Sequence, residues 1–165
     1  MAALTAGVVA PDFTLKSLEG RDYSLGELLR TGPVVLAFFK VSCPVCQYAF
    51  PYIERLFRAT REMNAAVIGI SQNDRTATTQ FTREFGITFP VLMDAPGSYP
   101  VSNAYGLTIV PTTFLISQGG EVERSIVGWD RGDMEELSHK LAESFGKTAP
   151  ALFHAGEDVA AFKAG

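Results

Sequence analysis

The chain has 165 residues, 47% of them apolar, with 19% charged and a net charge of −4. That length suits one domain with a substantial core, and the apolar share can offset the entropy of ordering, which excludes an intrinsically disordered chain. The acidic balance without a basic cluster excludes nucleic acid as an expected partner.

In chain order, Ala10-Pro11-Asp12-Phe13-Thr14-Leu15 alternates apolar and polar residues and predicts an edge strand with Pro near its start. A short helix is expected over Leu25 to Arg30, stopped by Gly32-Pro33. Val34 to Phe39 contains no polar residue, the pattern of a central strand covered on both faces. From Pro44 to about Arg61, Phe50, Ile53, Leu56 and Phe57 recur at helical spacing, and Pro51 should kink that helix. Ala66 to Ile70 is a second buried strand, and Ser71-Gln72-Asn73-Asp74 can cap a helix from about Arg75 to Phe85.

Val91 to Met93 is a short strand, Tyr99 to Tyr105 a short helix, and Thr112 to Ile116 a strand following Pro111. Gln118-Gly119-Gly120-Glu121 turns the chain into a strand over Val122 to Val127, and Asp133 to Phe145 is the closing helix. Alternating β and α elements that end in an antiparallel hairpin predict an α/β fold, a central mixed sheet with helices on both faces. Residues 1–146 form the expected domain. Residues 147–165 are a tail that either packs on the domain or docks a partner.

Neither a long apolar run nor a basic leader segment is visible, so the chain as given is expected to be soluble, without membrane contact, and cytoplasmic. If a leader has been removed, the same domain faces a periplasmic or other extracytoplasmic compartment.

Cys43-Pro44-Val45-Cys46 holds the only two cysteines. At two residues' separation they cannot staple a fold, but they suit disulfide exchange, which needs an attacking thiolate and a nearby second thiol to resolve the mixed disulfide. Cys43 lies where a strand ends and a helix begins, so unpaired backbone N–H groups and the helix dipole favour its anionic form; Pro44 suits the first helical position. Cys46, one turn further in, is the expected resolving thiol. Lys40 is a candidate source of positive charge for the Cys43 thiolate, against the plainer reading of a solvated lysine at a strand end. Zinc is not expected. A site needs about four ligands, and only His139 and His154 are available to complete one. No cofactor is implied.

Several stretches together resemble the thioredoxin-like fold, in particular its TlpA-type thiol–disulfide oxidoreductases and the related peroxiredoxins. They are Ala10 to Leu15, Phe38 to Cys46 with Pro51 beyond, Phe85-Gly86-Ile87-Thr88-Phe89-Pro90-Val91-Leu92-Met93-Asp94, and Tyr105 to Ile116. The resemblance spans about residues 8–146. It implies a thiol–disulfide oxidoreductase acting on protein or small-molecule disulfides, with antioxidant or redox-homeostatic roles, and a cis Val110–Pro111 peptide facing the cysteines. The backbone of Val110 would then pair with an extended substrate. Without the resemblance that peptide is expected trans.

This chain departs from the pattern at three places: Ser42 stands where many relatives have Trp, Ala37 where thioredoxin has a buried Asp, and Ala49 where several TlpA-type proteins have Glu. No carboxylate of the usual kind is placed to deprotonate Cys46, leaving Asp74 or Glu84 as candidates from elsewhere. Two other readings stay open, a thiol peroxidase and a non-enzymatic redox-sensing module. The peroxidase lacks the Pro and the hydroxyl that peroxiredoxins carry just before the attacking cysteine, since Lys40-Val41-Ser42 supplies neither at the required offset. Trp129 reads as a packing residue at the sheet edge.

Overall fold

The computed structural model describes residues 2–165. Strand β3 (Val34–Phe39) is fully buried and sits at the centre of a five-stranded sheet. It pairs in parallel with β4 (Ala66–Ser71) and antiparallel with β6 (Thr112–Ile116), while β5 (Val91–Met93) and β7 (Val122–Val127) form the edges. Because successive strand residues point to opposite faces, β3 feeds two cores. Val35, Ala37 and Phe39 pack with α2 (Pro44–Ala59), α3 (Arg75–Glu84) and α5 (Arg131–Glu143); Val34, Leu36 and Phe38 pack with α1 (Leu25–Leu29) and α4 (Pro100–Ala104). The expected mixed sheet with helices on both faces is the fold observed.

The first expected strand is corrected. β1 is Thr14–Lys16, paired with β2 (Asp22–Ser24), a strand that three residues could not announce. Pro11 has no N–H, and Asp12 turns its carboxylate onto the N–H groups of Phe13 and Gly26, so Pro11 to Phe13 do not extend β1; just before them Val9 forms an isolated antiparallel bridge with Glu121. Helix α5 starts at Arg131, ahead of the expected Asp133, because Asp130 caps it by accepting from the Asp133 N–H at 2.9 Å. Helix α2 runs through Pro51 without ending there.

Helix α2 carries one charge into the core. Glu54 is 5% exposed and its carboxylate accepts from Thr88 N–H (2.8 Å), Thr88 Oγ1 (2.5 Å), Phe89 N–H (3.4 Å) and Arg58 Nε (2.8 Å). Burial alone would raise its pKa, but these bonds outweigh it and hold the group below the usual carboxylate range. Replacing Glu54 with Leu leaves the Thr88 donors without their acceptor and is expected to cost about 1–3 kcal/mol. Urea denaturation checks this, with Glu54→Gln retaining part of the loss.

After α5 the chain returns across the α2 face. Leu152 and Val159 are buried beside Trp129. Arg55 grips Glu157 through both guanidinium nitrogens at 2.7 and 2.6 Å and donates to the Leu152 carbonyl at 3.1 Å. This contact with Arg55, with the His154 N–H, lowers the Glu157 pKa to about 2. Strand β9 (Phe162–Lys163) then pairs with β8 (Trp129–Asp130), two strands unforeseen in the sequence.

Candidate active site

The end of β3 and the start of α2 build the site. Past Phe39, the Val41 N–H donates to Asn73 Oδ1 and Gln47 Nε2 donates to the Val41 carbonyl, both at 2.9 Å, so the short loop is fixed from two directions. Cys43 is the N-cap of α2 with extended backbone (φ −82°, ψ 114°), and Pro44 occupies the first helical position. The Cys43 sulfur takes the capping role normally given to an oxygen: it accepts from the Cys46 N–H at 3.1 Å. Cys43 is half-buried and Cys46 is fully buried. Burial pushes the Cys46 thiol far above its ordinary value, and its hydrogen bond with Cys43 pushes the same way.

Across from the thiols lies the loop before β6. The Val110–Pro111 peptide is cis. The Val110 carbonyl oxygen is 3.5 Å from Cys43 Sγ, the thiol donating. Thr112 Oγ1 holds the Ile109 carbonyl at 2.9 Å and the Gly128 N–H holds the Pro111 carbonyl at 2.8 Å, so Val110 is fixed on both sides while its own N–H takes no partner among the described residues. Beside Val110 a shallow cavity of about 220 Å³ is lined by Lys40, Gln72, Tyr99, Asn103 and Ile109.

Residues 6–125 match the AhpC/TSA family. The chain belongs to this family. Within this AhpC/TSA protein's range of relatives, the thiol-disulfide oxidoreductase ResA of Geobacillus thermodenitrificans is 34% identical over 76% of this chain and 71% of its own length. ResA of Halalkalibacterium halodurans is 35% identical over 84% and 76%. Among solved structures, the thioredoxin domain of a thiol-disulfide oxidoreductase from Bacteroides vulgatus superposes with a TM-score of 0.75 at 19% identity, covering 84% of this chain and all but 2% of its own. The fold is thioredoxin-like.

The sequence-derived candidates do not all converge. Cys43, Cys46, Val110 and Pro111 come together. Lys40 is exposed, with its ammonium 5.7 Å from the centre of the Tyr99 ring, and that ammonium makes no hydrogen bond with either sulfur among the described residues; only the Lys40 backbone reaches Cys46. Asp74 is taken up in capping α3, accepting from the Ala77 N–H at 2.8 Å, and Glu84 is exposed at the far end of that helix. Ala37 and Ala49 are both buried and carry no titratable group. No group of three or more His, Cys, Asp or Glu among the described residues is arranged to hold a metal. Nor is any described helix long and apolar enough to cross a membrane.

Sequence reasoning passed over Gln47 and Asn73, the two side chains that hold the loop at Val41. Asn73 lay inside the stretch read as a helix cap, of which only Asp74 is the cap. Gln47 had a signal: a long amide immediately after the second cysteine, on a helix whose next turn is apolar.

Proposed function

We propose that the protein is a thiol–disulfide oxidoreductase in which Cys43 attacks and Cys46 resolves. The observation that carries this reading is the half-buried Cys43 sulfur at the start of α2, with the Cys46 N–H on one side and the Val110 carbonyl on the other. The names of the ResA relatives support the reaction class.

In the reductive direction the Cys43 thiolate attacks one sulfur of a substrate disulfide. The substrate S–S bond breaks, a mixed disulfide forms, and the departing thiolate takes a proton from solvent. Cys46 then loses its proton and attacks Cys43 Sγ, releasing the second substrate thiolate and leaving Cys43 and Cys46 as a disulfide. Two electrons have passed to the substrate, and an external dithiol returns them. The free N–H and the carbonyl of Val110 offer an extended polypeptide two backbone partners, with Pro111 fixing their direction. Lys40 adds positive charge through space rather than by contact. Protein disulfides and small disulfides are the substrate classes. A cytoplasmic setting belongs to the same proposal, and recovery of the protein in a membrane or extracytoplasmic fraction of its source cells would reverse it.

Insulin reduction with dithiothreitol as electron source tests the reading. Turnover above the uncatalysed rate that disappears in Cys43→Ser is the expected result. Rapid peroxide consumption by Cys46→Ser, which retains Cys43 alone, would transfer the assignment to a thiol peroxidase. Reversible oxidation of the pair without either turnover would make it a redox-sensing module.

A further inference from the structure

The end of the tail reaches the substrate side of the site. Strand β9 lies along β8 with Lys163 opposite Trp129, and the residues after it pass between Gly128 and Val110. Both contacts depend on missing side chains. A Cβ added to Gly128, whose φ is +79°, would stand 2.6 Å from the Lys163 carbonyl oxygen and 3.2 Å from the Gly165 nitrogen. One added to Gly165 would stand 2.5 Å from the Val110 carbonyl oxygen and 2.8 Å from Ile109 Cδ1. The backbone of Gly165 is therefore packed on Val110, at the same oxygen that faces Cys43 Sγ at 3.5 Å. Glycine is the residue that permits so close an approach of backbone to backbone.

The tail's hold on the domain weakens along its length. Up to Ala161 it is tied down: Trp129 Nε1 donates to the Ala160 carbonyl at 2.7 Å, the Ala160 N–H donates to Tyr48 Oη at 2.8 Å, and the Arg131 N–H donates to the Ala161 carbonyl at 2.9 Å. Beyond that, Phe162 is 62% exposed and the Lys163 ammonium lies 4.9 Å from the centre of the Tyr48 ring. Two-residue pairing and one half-buried cation–π contact are modest restraints beside the three bonds that precede them. A firmly anchored strap thus ends in a loosely held tip, and the tip lies on the backbone that an extended substrate would use.

We propose that residues 162–165 are a specificity element that shields Val110 and ranks substrates by size. The proposal rests on the oxidoreductase reading above. A small disulfide needs only Cys43 Sγ and reacts past the tip. An extended polypeptide needs Val110 as well, and gains access by displacing Gly165 and its neighbours.

Two variants separate these cases. In Gly165→Val the added side chain has no room against Val110 and Ile109, so the tip is driven off; a chain ending at Ala161 removes the tip but keeps every anchoring bond named above. For each, kcat/KM is measured with a disulfide-linked unstructured peptide and with 2-hydroxyethyl disulfide. Both variants are expected to gain roughly five- to tenfold on the peptide, about the net worth of one backbone hydrogen bond, and to stay within about twofold on the small disulfide. No gain on the peptide, or an equal change on both substrates, overturns the proposal. If the unaltered protein reduces neither disulfide, the oxidoreductase reading itself falls and takes the specificity element with it.

Discussion

Replacing Cys46 with serine is expected to stop the reaction at the mixed disulfide. The first step needs only Cys43, which keeps its position because the capping bond comes from the backbone N–H of residue 46 and not from its side chain. Substrate should accumulate on Cys43 in one-to-one amount, visible by intact mass, while multiple turnover falls by about a thousandfold or more, as expected when one member of a catalytic pair is lost. Cys43→Ser should give no adduct at all.

The same argument sets the pH dependence of the unaltered protein. Only the thiolate attacks, and burial keeps Cys46 protonated far into the alkaline range. Ala37 and Ala49, both buried, supply no carboxylate to help remove the proton. Decay of the mixed disulfide, followed by stopped flow between about pH 6 and 9, should therefore quicken close to tenfold per pH unit, as the thiolate fraction does. A flat profile would mean that a base reaches Cys46 when substrate is bound.

The parts of the molecule that the sequence announced are those whose stability is local or purely apolar. Val34 to Phe39 reads as a buried strand because every side chain in it is apolar, and α2 reads as a helix because its apolar residues return every three or four positions. Strands β2, β8 and β9 were hidden because each is only two or three residues long and exists through its partner, not its own pattern. Glu54 was hidden for a different reason. It interrupts the buried stripe of α2, and only the fold shows that Thr88 and Phe89, more than thirty residues away, provide its donors. The cysteine pair was legible because its chemistry is contained in four residues, whereas the tip of the tail at Val110 joins residues 55 apart and leaves no motif.

Trp129 decides whether the tail is a structural part of the protein or a loose covering, and its removal should have the largest effect on stability. The side chain is 1% exposed and packs against Tyr48, Tyr52 and Phe153, with ring centres 5.4, 5.0 and 6.1 Å away. Two of those rings belong to α2 and one to the tail, so Trp129 is the wedge between them. Trp129→Ala is expected to cost about 3–5 kcal/mol, the usual range for deleting a large buried aromatic. Because the chain has no other tryptophan, urea unfolding must be followed by far-ultraviolet circular dichroism rather than fluorescence. Trp129→Phe separates the two contributions: it restores most of the packing but not the Nε1 bond to Ala160, and should cost only about 1–2 kcal/mol. Both variants should also be cut faster by trypsin at the exposed Lys147, since freeing Ala160 releases the strap that continues from it. If Trp129→Phe instead matches the unaltered protein in stability and in cleavage rate, the tail is held by its apolar contacts, by Arg55 and by the Tyr48 and Arg131 bonds, and the Trp129–Ala160 bond contributes nothing to seating it.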